Sequence, residues 1–182
     1  MKYDISGDES EILPNKLGLK KPHDIAMSEF EGFLQAEISF TENLRDNTKF
    51  DTKYILKIHK LALSHLYTFA GKYRNVNLSK GGFLFSSAKF LPESMKSFED
   101  EILLKLPSDY NDRESLIRDV ATVHGELLFI HPFREGNGRT ARILANLMVR
   151  KAGSSPLEFE KIGKKELEHY VVAVQKVSRK KL

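Results

Sequence analysis

The chain has 182 residues, 41% of them hydrophobic, with 29 Lys and Arg against 25 Asp and Glu, a net charge of +4 and no cysteine. That length and apolar share suffice for one domain with a real core, and the lack of cysteine excludes disulfides and thiolate metal sites, as suits a reducing cytoplasm. No apolar run reaches the roughly 18 residues of a membrane span; Met1-Lys-Tyr-Asp-Ile5 lacks a signal peptide's apolar stretch, and acid is interspersed with the basic excess, so neither a membrane nor direct nucleic-acid binding is expected.

Residues 1–22, polar and punctuated by Gly7, Pro14 and Pro22, read as an N-terminal arm, with Ile12 to Leu19 a short hydrophobic anchor onto a domain spanning 23–176. From Asp24 to about Arg45 the spacing of Ile25, Phe30, Phe33, Leu34 and Ile38 predicts a helix. A second begins at Asp51 as N-cap and runs through Tyr54, Ile55, Ile58, Leu61 and His65 to Phe69. His59 and His65 do not share a helix face, so they read as packed or surface histidines rather than metal ligands. Between Gly71 and Phe85 the period changes, with β-formers on either side of glycines at a tip, which predicts a hairpin. Pro92 to Leu106 reads as a helix, and Pro107-Ser-Asp109 as a break. A long helix follows from Asp112 to His131, its inward stripe formed by Ile117, Val120, His124, Leu127 and His131 at steps of three and four. Seven residues from His131, His124 reads as a satisfied core histidine.

The run that follows, His131-Pro-Phe-Arg-Glu-Gly-Asn-Gly-Arg-Thr-Ala-Arg142, concentrates an imidazole, a carboxylate, glycines and guanidiniums, a mixture that points to a nucleotide. Gly136-Asn137-Gly138 opens the next helix, where free N–H groups and the positive end of the macrodipole form an anion site. Arg139 and Arg142, three apart, project toward that anion. Glu135, just outside the turn, suits a hard cation such as Mg²⁺ that bridges phosphate oxygens. Phe133 reads as core, anchoring the loop. Downstream, Ile143, Leu144, Leu147 and Met148 form an apolar face, and Lys151-Ala-Gly153 closes the helix. Ser154-Ser-Pro156 is a turn, Lys164 to about Lys176 a final amphipathic helix, and 177–182 a basic solvated tail.

The run resembles the core motif of the Fic (filamentation induced by cAMP) family, H-x-F-x-[D/E]-G-N-G-R-x-x-R, which His131, Phe133, Glu135, Gly136, Asn137, Gly138, Arg139 and Arg142 match throughout. Asn15-Lys-Leu-Gly18 is similar to the N-terminal entry of the subgroup called cell filamentation proteins. Tyr67-x-Phe-Ala-Gly-Lys-Tyr-Arg74 is similar to the lead-in to that family's β-hairpin flap, with Phe69 where Trp is frequent. The resemblance implies a mainly α fold of six or more helices with one short hairpin. It also implies transfer of AMP from ATP, with Mg²⁺, to a Ser, Thr or Tyr hydroxyl of a target protein. His131 is then the general base, Glu135 the metal ligand, and Gly136, Asn137, Gly138, Arg139 and Arg142 the nucleotide cradle, the arginines on the β- and γ-phosphates. At the flap tip, Lys80 and Gly81 would touch nucleotide, and Lys80, Gly81 and Gly82 would dock the target by strand addition. Placement of His131 at a helix C-terminus is expected to favour its charged form once it has taken the proton. Tyr170 and Gln175 lie in a looser stretch that assigns them no role.

Two rivals stand beside this reading. Doc-type relatives phosphorylate their target and carry Lys where this chain has Gly138, and a basic helical adaptor without enzymatic activity would not bind ATP at all. Many Fic proteins also carry an inhibitory helix, [S/T]-x-x-x-E-[G/N], whose glutamate pairs with the last motif arginine, here Arg142. Glutamate precedes Gly or Asn at Glu31, Glu42 and Glu135, but Met27, Ile38 and His131 stand four residues upstream, none of them a hydroxyl residue. A toxin or effector with a separate small antitoxin bearing that helix is the expectation, in the cytoplasm or delivered into a host cell.

Overall fold

A computed structural model describes residues 12–80, 82–163, 166 and 169–174. The fold is mainly α with one short antiparallel hairpin, as expected. Its helices are α1 (Pro22–Glu42), α2 (Thr52–Leu63), α3 (Leu91–Glu101), α4 (Arg113–Ile130) and α5 (Asn137–Lys151). Single turns of 3₁₀ helix stand at Ala88–Phe90, Leu103–Lys105 and Phe159–Lys161, and residues 169–174 are again helical.

The helix α5 is the hub, buried at Thr140, Ala141, Ile143, Leu144, Ala145, Leu147, Met148 and Val149, and it packs against α1, α2 and α4. A helix apolar on most of its circumference has to be surrounded. Its first turn, which carries the motif, is therefore held in place by three other helices. The end is equally well defined: Gly153 adopts φ 72°, its N–H donates to Arg150 O and that of Ser154 to Val149 O, the two bonds of a glycine helix stop.

Helix α1 buries Ile25, Glu29, Gly32, Phe33 and Ala36. This corrects the face read from the sequence, because Phe30, Leu34 and Ile38 are all exposed. Gly32 decides the orientation. A Cβ there would lie 1.9 Å from Ala62 O of α2, so the two helices meet backbone to backbone at the one residue without a side chain. Helix α2 starts as predicted, Asp51 Oδ1 accepting the Tyr54 N–H at 2.7 Å, but it ends at Leu63 instead of Phe69. There the N–H groups of Leu66 and Tyr67 both donate to Leu63 O, and the chain turns to bury Leu66 and Tyr67. Across this turn lies the end of the arm: Lys16 N donates to Leu66 O and Lys16 Nζ to Ser64 O, while Ile12, Leu13 and Leu19 pack on the core.

The hairpin is shorter than the 71–85 span suggests. Strands β1 (Ser79–Lys80) and β2 (Phe83–Leu84) pair with Ser79 opposite Leu84 and Lys80 opposite Phe83, extended by Phe85 N donating to Leu78 O. Residues 71–78 are not strand, and the N–H groups of Gly71, Lys72 and Arg74 donate to His59 Nδ1, Phe69 O and Pro132 O. In α4, Asp112 caps the start through Ser115 N at 2.8 Å. Its buried face is Leu116, Val120, Val123, His124, Leu127 and Ile130, and Ile117 is exposed, contrary to the predicted stripe. His124 is satisfied at both ring nitrogens, facing Ala141 O at 3.2 Å and the Tyr170 hydroxyl at 2.6 Å. Of the remaining expectations, Gly81, Gln175, residues 1–11 and the tail 177–182 lie outside the described residues. Among those described, no helix is long and apolar enough to cross a membrane.

Candidate active site

Helix α4 stops at His131, which adopts φ 54° and ψ 57°, the left-handed conformation, and is the one non-glycine residue with positive φ among the described residues. For an L-residue that conformation costs about 1–2 kcal/mol, and several bonds hold it. The His131 N–H donates to Leu127 O at 3.0 Å, and its carbonyl accepts from Arg74 Nε at 2.8 Å. The ring is fixed too. Nδ1 lies 2.8 Å from Leu128 O, and since a carbonyl can only accept, Nδ1 carries the proton and Nε2 the lone pair. Phe85, just past β2, stacks on the imidazole with centroids 3.8 Å apart.

The next four residues form a loop closed on itself. Asn137 Oδ1 accepts from Phe133 N at 2.8 Å and Asn137 Nδ2 donates to Phe133 O at 2.7 Å, so this side chain is spent on the loop and only its backbone N–H faces outward chemistry. Beneath, Phe133 stacks on His59 at 3.8 Å and 7°. His59 Nδ1 accepts from Gly71 N, so Nε2 bears the proton and donates to Glu135 O at 3.0 Å. Residue 136 must be glycine: φ is 78°, and a Cβ would meet Phe33 Cζ at 2.8 Å. Gly138 is different. A Cβ there meets nothing nearer than Arg142 Nη1 at 4.0 Å, leaving space in front of the first turn of α5, which no side chain caps. Its N–H groups have no intrahelical partner and face that space.

Charge is arranged in one cluster. Glu135 Oε1 accepts from Gly136 N at 2.9 Å and from Arg139 Nη2 at 3.3 Å. The same Nη2 donates at 2.7 Å to Glu29 Oε2 of α1, a residue only 1% exposed, whose Oε1 accepts from Tyr67 OH at 2.6 Å. Arg139 also lies over the Phe33 ring at 4.4 Å. Both of these carboxylate bonds run from its Nη2. Arg142 is exposed and forms no ion pair among the described residues. Both arginines line a cavity of about 510 Å³ with Phe30, Leu34, Leu157 and Phe159.

Burial pushes the His131 pKa down to about 4; the Leu128 carbonyl works against this, and the charges of Arg74 and Lys80 add to it. This corrects the expected preference for the charged form, since desolvation outweighs the helix end. His59 is likewise pushed down to about 4 by burial, with the Glu135 carbonyl opposing and Arg139 reinforcing. Both imidazoles are neutral near pH 7. An unfolded chain takes up these protons near pH 6.5 and the folded one only near 4, so stability is complete above 6.5 and lost as pH falls toward 4. The expected loss is up to about 3 kcal/mol per histidine, read as a falling urea midpoint across that window. His59→Gln should flatten the slope, and an unchanged slope would contradict the burial argument.

The structure thus brings His131, Glu135, Gly136, Asn137, Gly138, Arg139 and Arg142 together in one loop and helix start. Lys80 sits on β1, near enough for its charge to act on His131, and Gly82 is at the hairpin tip with φ 78°. Glu29 escaped the sequence reading, His59 was read as a packed or surface histidine with no part in the site, and Arg74 and Phe85 were legible only as positions in the flap lead-in and hairpin. A carboxylate four residues from Ile25 and from Phe33, on one helix face, was the available signal for Glu29. Glu135 is a single carboxylate, and no group of three or more His, Cys, Asp and Glu stands together among the described residues. That donor set fits a cation that completes its shell with phosphate and water, and not an all-protein metal site.

A family model for the Fic/DOC family matches residues 49–149. The chain is 35% identical over 104 residues to the protein adenylyltransferase Fic of Nematostella vectensis, covering 57% of this chain and 23% of the relative. It is 28% identical over 177 residues to the protein adenylyltransferase VbhT of Bartonella schoenbuchensis, covering 91% and 35%. It therefore spans about a quarter to a third of the length of these curated relatives. Among solved structures, the N-terminal Fic domain of an effector from Bartonella sp. AR 15-3 superposes with TM-score 0.75 at 21% identity, covering 88% of this chain and 77% of that one. BepC from Bartonella tribocorum, solved with bound AMPPNP, gives 0.72 at 20% identity, covering 88% and 83%.

Proposed function

The chain belongs to the Fic/DOC family, and on that footing we propose that it moves AMP from ATP to a Ser, Thr or Tyr hydroxyl of another protein. The observation that carries this reading is His131. Its protonated Nδ1 is held by Leu128 O, which makes Nε2 the basic nitrogen, in the loop that leads into a helix start bearing two arginines and no side-chain cap. A hydroxyl attacking the α-phosphorus gives its proton to Nε2 as the new P–O bond forms and the bond to pyrophosphate breaks. The amides of Asn137, Gly138 and Arg139 meet charge on the phosphates, and the guanidiniums of Arg139 and Arg142 hold the leaving pyrophosphate. Glu135 would hold Mg²⁺, which screens phosphate charge when bound. Because the base has a pKa of about 4, activity should stay level from neutral pH down and fail only as pH approaches that value.

Gly138 supports AMP transfer over a Doc-like phosphotransfer. Nothing in the chain's own packing requires glycine there, and the space it leaves is where a Lys would otherwise project. The adaptor rival is separated by calorimetry with AMPPNP and Mg²⁺, in which it predicts no binding. The transferase is tested by incubating the protein with ATP labelled in its adenine and a cell lysate. Covalently labelled protein supports the proposal, and AMPPNP binding with no labelled protein from any lysate tried would overturn it.

Regulation by a separate antitoxin fits the groove beside Arg142. The exposed Phe30 and Leu34 of α1 face Leu157 and Phe159 across it, offering apolar area to a helix whose glutamate would reach Arg142. Expression of the chain alone should arrest bacterial growth and His131→Ala should relieve the arrest. A small partner with the Ser/Thr-to-Glu helix should silence the native chain, and the same partner with that glutamate replaced should still bind but no longer silence it. Inactivity of the isolated chain, reversed by deleting one of its own segments, would contradict this.

A further inference from the structure

Arg74 is 4% exposed, and its guanidinium bonds to backbone carbonyls of three separate segments. Nε donates to His131 O at 2.8 Å, Nη1 to Val76 O at 2.6 Å, and Nη2 to Ser86 O, with Ile130 O at 3.5 Å. Its backbone N–H donates to Pro132 O at 2.8 Å. Val76 lies before β1 and Ser86 after β2, so these bonds grip both legs of the hairpin. The others grip the end of α4 at the residue whose left-handed backbone aims the imidazole. One planar group thus joins the hairpin roots to the base.

We propose that Arg74 is a positioning residue that locks the hairpin to His131, fixing both the imidazole's direction and the Phe85 ring stacked on it. This rests on the transferase reading for its consequence, since a target docked on the hairpin presents its hydroxyl to Nε2 only if hairpin and imidazole keep one relation. It adds a role for a residue outside the motif. The geometry is specific to a guanidinium: a fixed fork of five N–H donors spans carbonyls on diverging strands, whereas an ammonium on a flexible stem satisfies one direction at a time. Without it the buried carbonyl of His131 and the half-buried ones of Val76 and Ser86 would lose this donor beside the active loop.

The test uses Arg74→Lys and Arg74→Met in protein labelled with ¹⁵N-histidine, the His131 signals being assigned by their loss in His131→Asn. In the native chain the imidazole should be the single Nδ1–H tautomer with ring protons shifted by Phe85. In both variants the tautomer should become mixed and the ring-current shift collapse. Affinity for AMPPNP with Mg²⁺ should stay within about threefold, and adenine-label transfer to lysate protein should fall about 100-fold, the scale of a misplaced reacting group. Lysine should not rescue. Unchanged His131 signals in either folded variant would overturn the proposal, as would nucleotide affinity falling in step with transfer, or loss of the cooperative melt in both variants, since each makes Arg74 a residue of the fold alone. If the native chain labels nothing, it is the transferase proposal that falls, and the imidazole signals still decide this one.

Discussion

His131→Ala should lower AMP transfer by about 10²–10⁴-fold, the usual contribution of a positioned base, while AMPPNP binding changes by about twofold or less, as expected when an interaction made only in the transition state is lost. The structure separates the two effects. The imidazole is held by Leu128 O and Phe85, whereas the anion-facing amides belong to α5, whose start is fixed by Gly136 and Asn137. Alanine is also poorly suited to φ 54°, so part of any loss could come from a shifted loop. Asparagine tolerates the left-handed region and lacks the base, which makes His131→Asn the cleaner variant. Both should be inactive with nucleotide affinity kept. Full activity in either would remove His131 from the mechanism.

The second large effect is expected at Glu29, far from the motif in sequence. Its carboxylate receives Arg139 at 2.7 Å and the Tyr67 hydroxyl at 2.6 Å in a site 1% exposed. Removing one partner of a buried pair leaves the others desolvated, so Glu29→Ala should cost about 3–5 kcal/mol in urea unfolding. Tyr67, whose phenol is pushed up by burial and by this carboxylate, stays neutral and loses its acceptor. Glu29→Gln keeps an acceptor for Tyr67 but removes the charge facing Arg139. It should therefore be the milder change in stability, with Arg139 free to swing away from Glu135 and nucleotide affinity altered. A Glu29→Ala chain as stable as the native one would show that the cluster contributes nothing net.

How much of this was legible depends on how local it was. The motif could be read because one turn and one helix start carry it, and each residue type there answers to a nearby requirement, the glycine at 136 above all. Asn137 shows the limit. Its type was readable, but its amide closes the loop on Phe133 instead of facing a ligand. The partners that aim the site arrive from α1, α2 and the stretch before the hairpin, at separations of 57 residues for Arg74 to His131 and 76 for His59 to Glu135. No periodicity reports such pairings. Helix α1 was found but its buried face was not, because Gly32 and Glu29 make the true contact while Phe30, Leu34 and Ile38 stay outside. Helix α2 was drawn too long because Leu66 and Tyr67, buried by a turn, continue the apolar spacing. His131 fell on the expected helix end, yet burial, which spacing does not reveal, reversed the expected preference for charge.

The most direct test of the central claim is the intact mass of a purified target, identified from the lysate labelling, after incubation with ATP, Mg²⁺ and either the native chain or His131→Asn. A gain of one AMP per modified site with the native chain, and none with the variant, is the predicted result. A gain of phosphate instead, or a gain of AMP that persists in the variant, would contradict it.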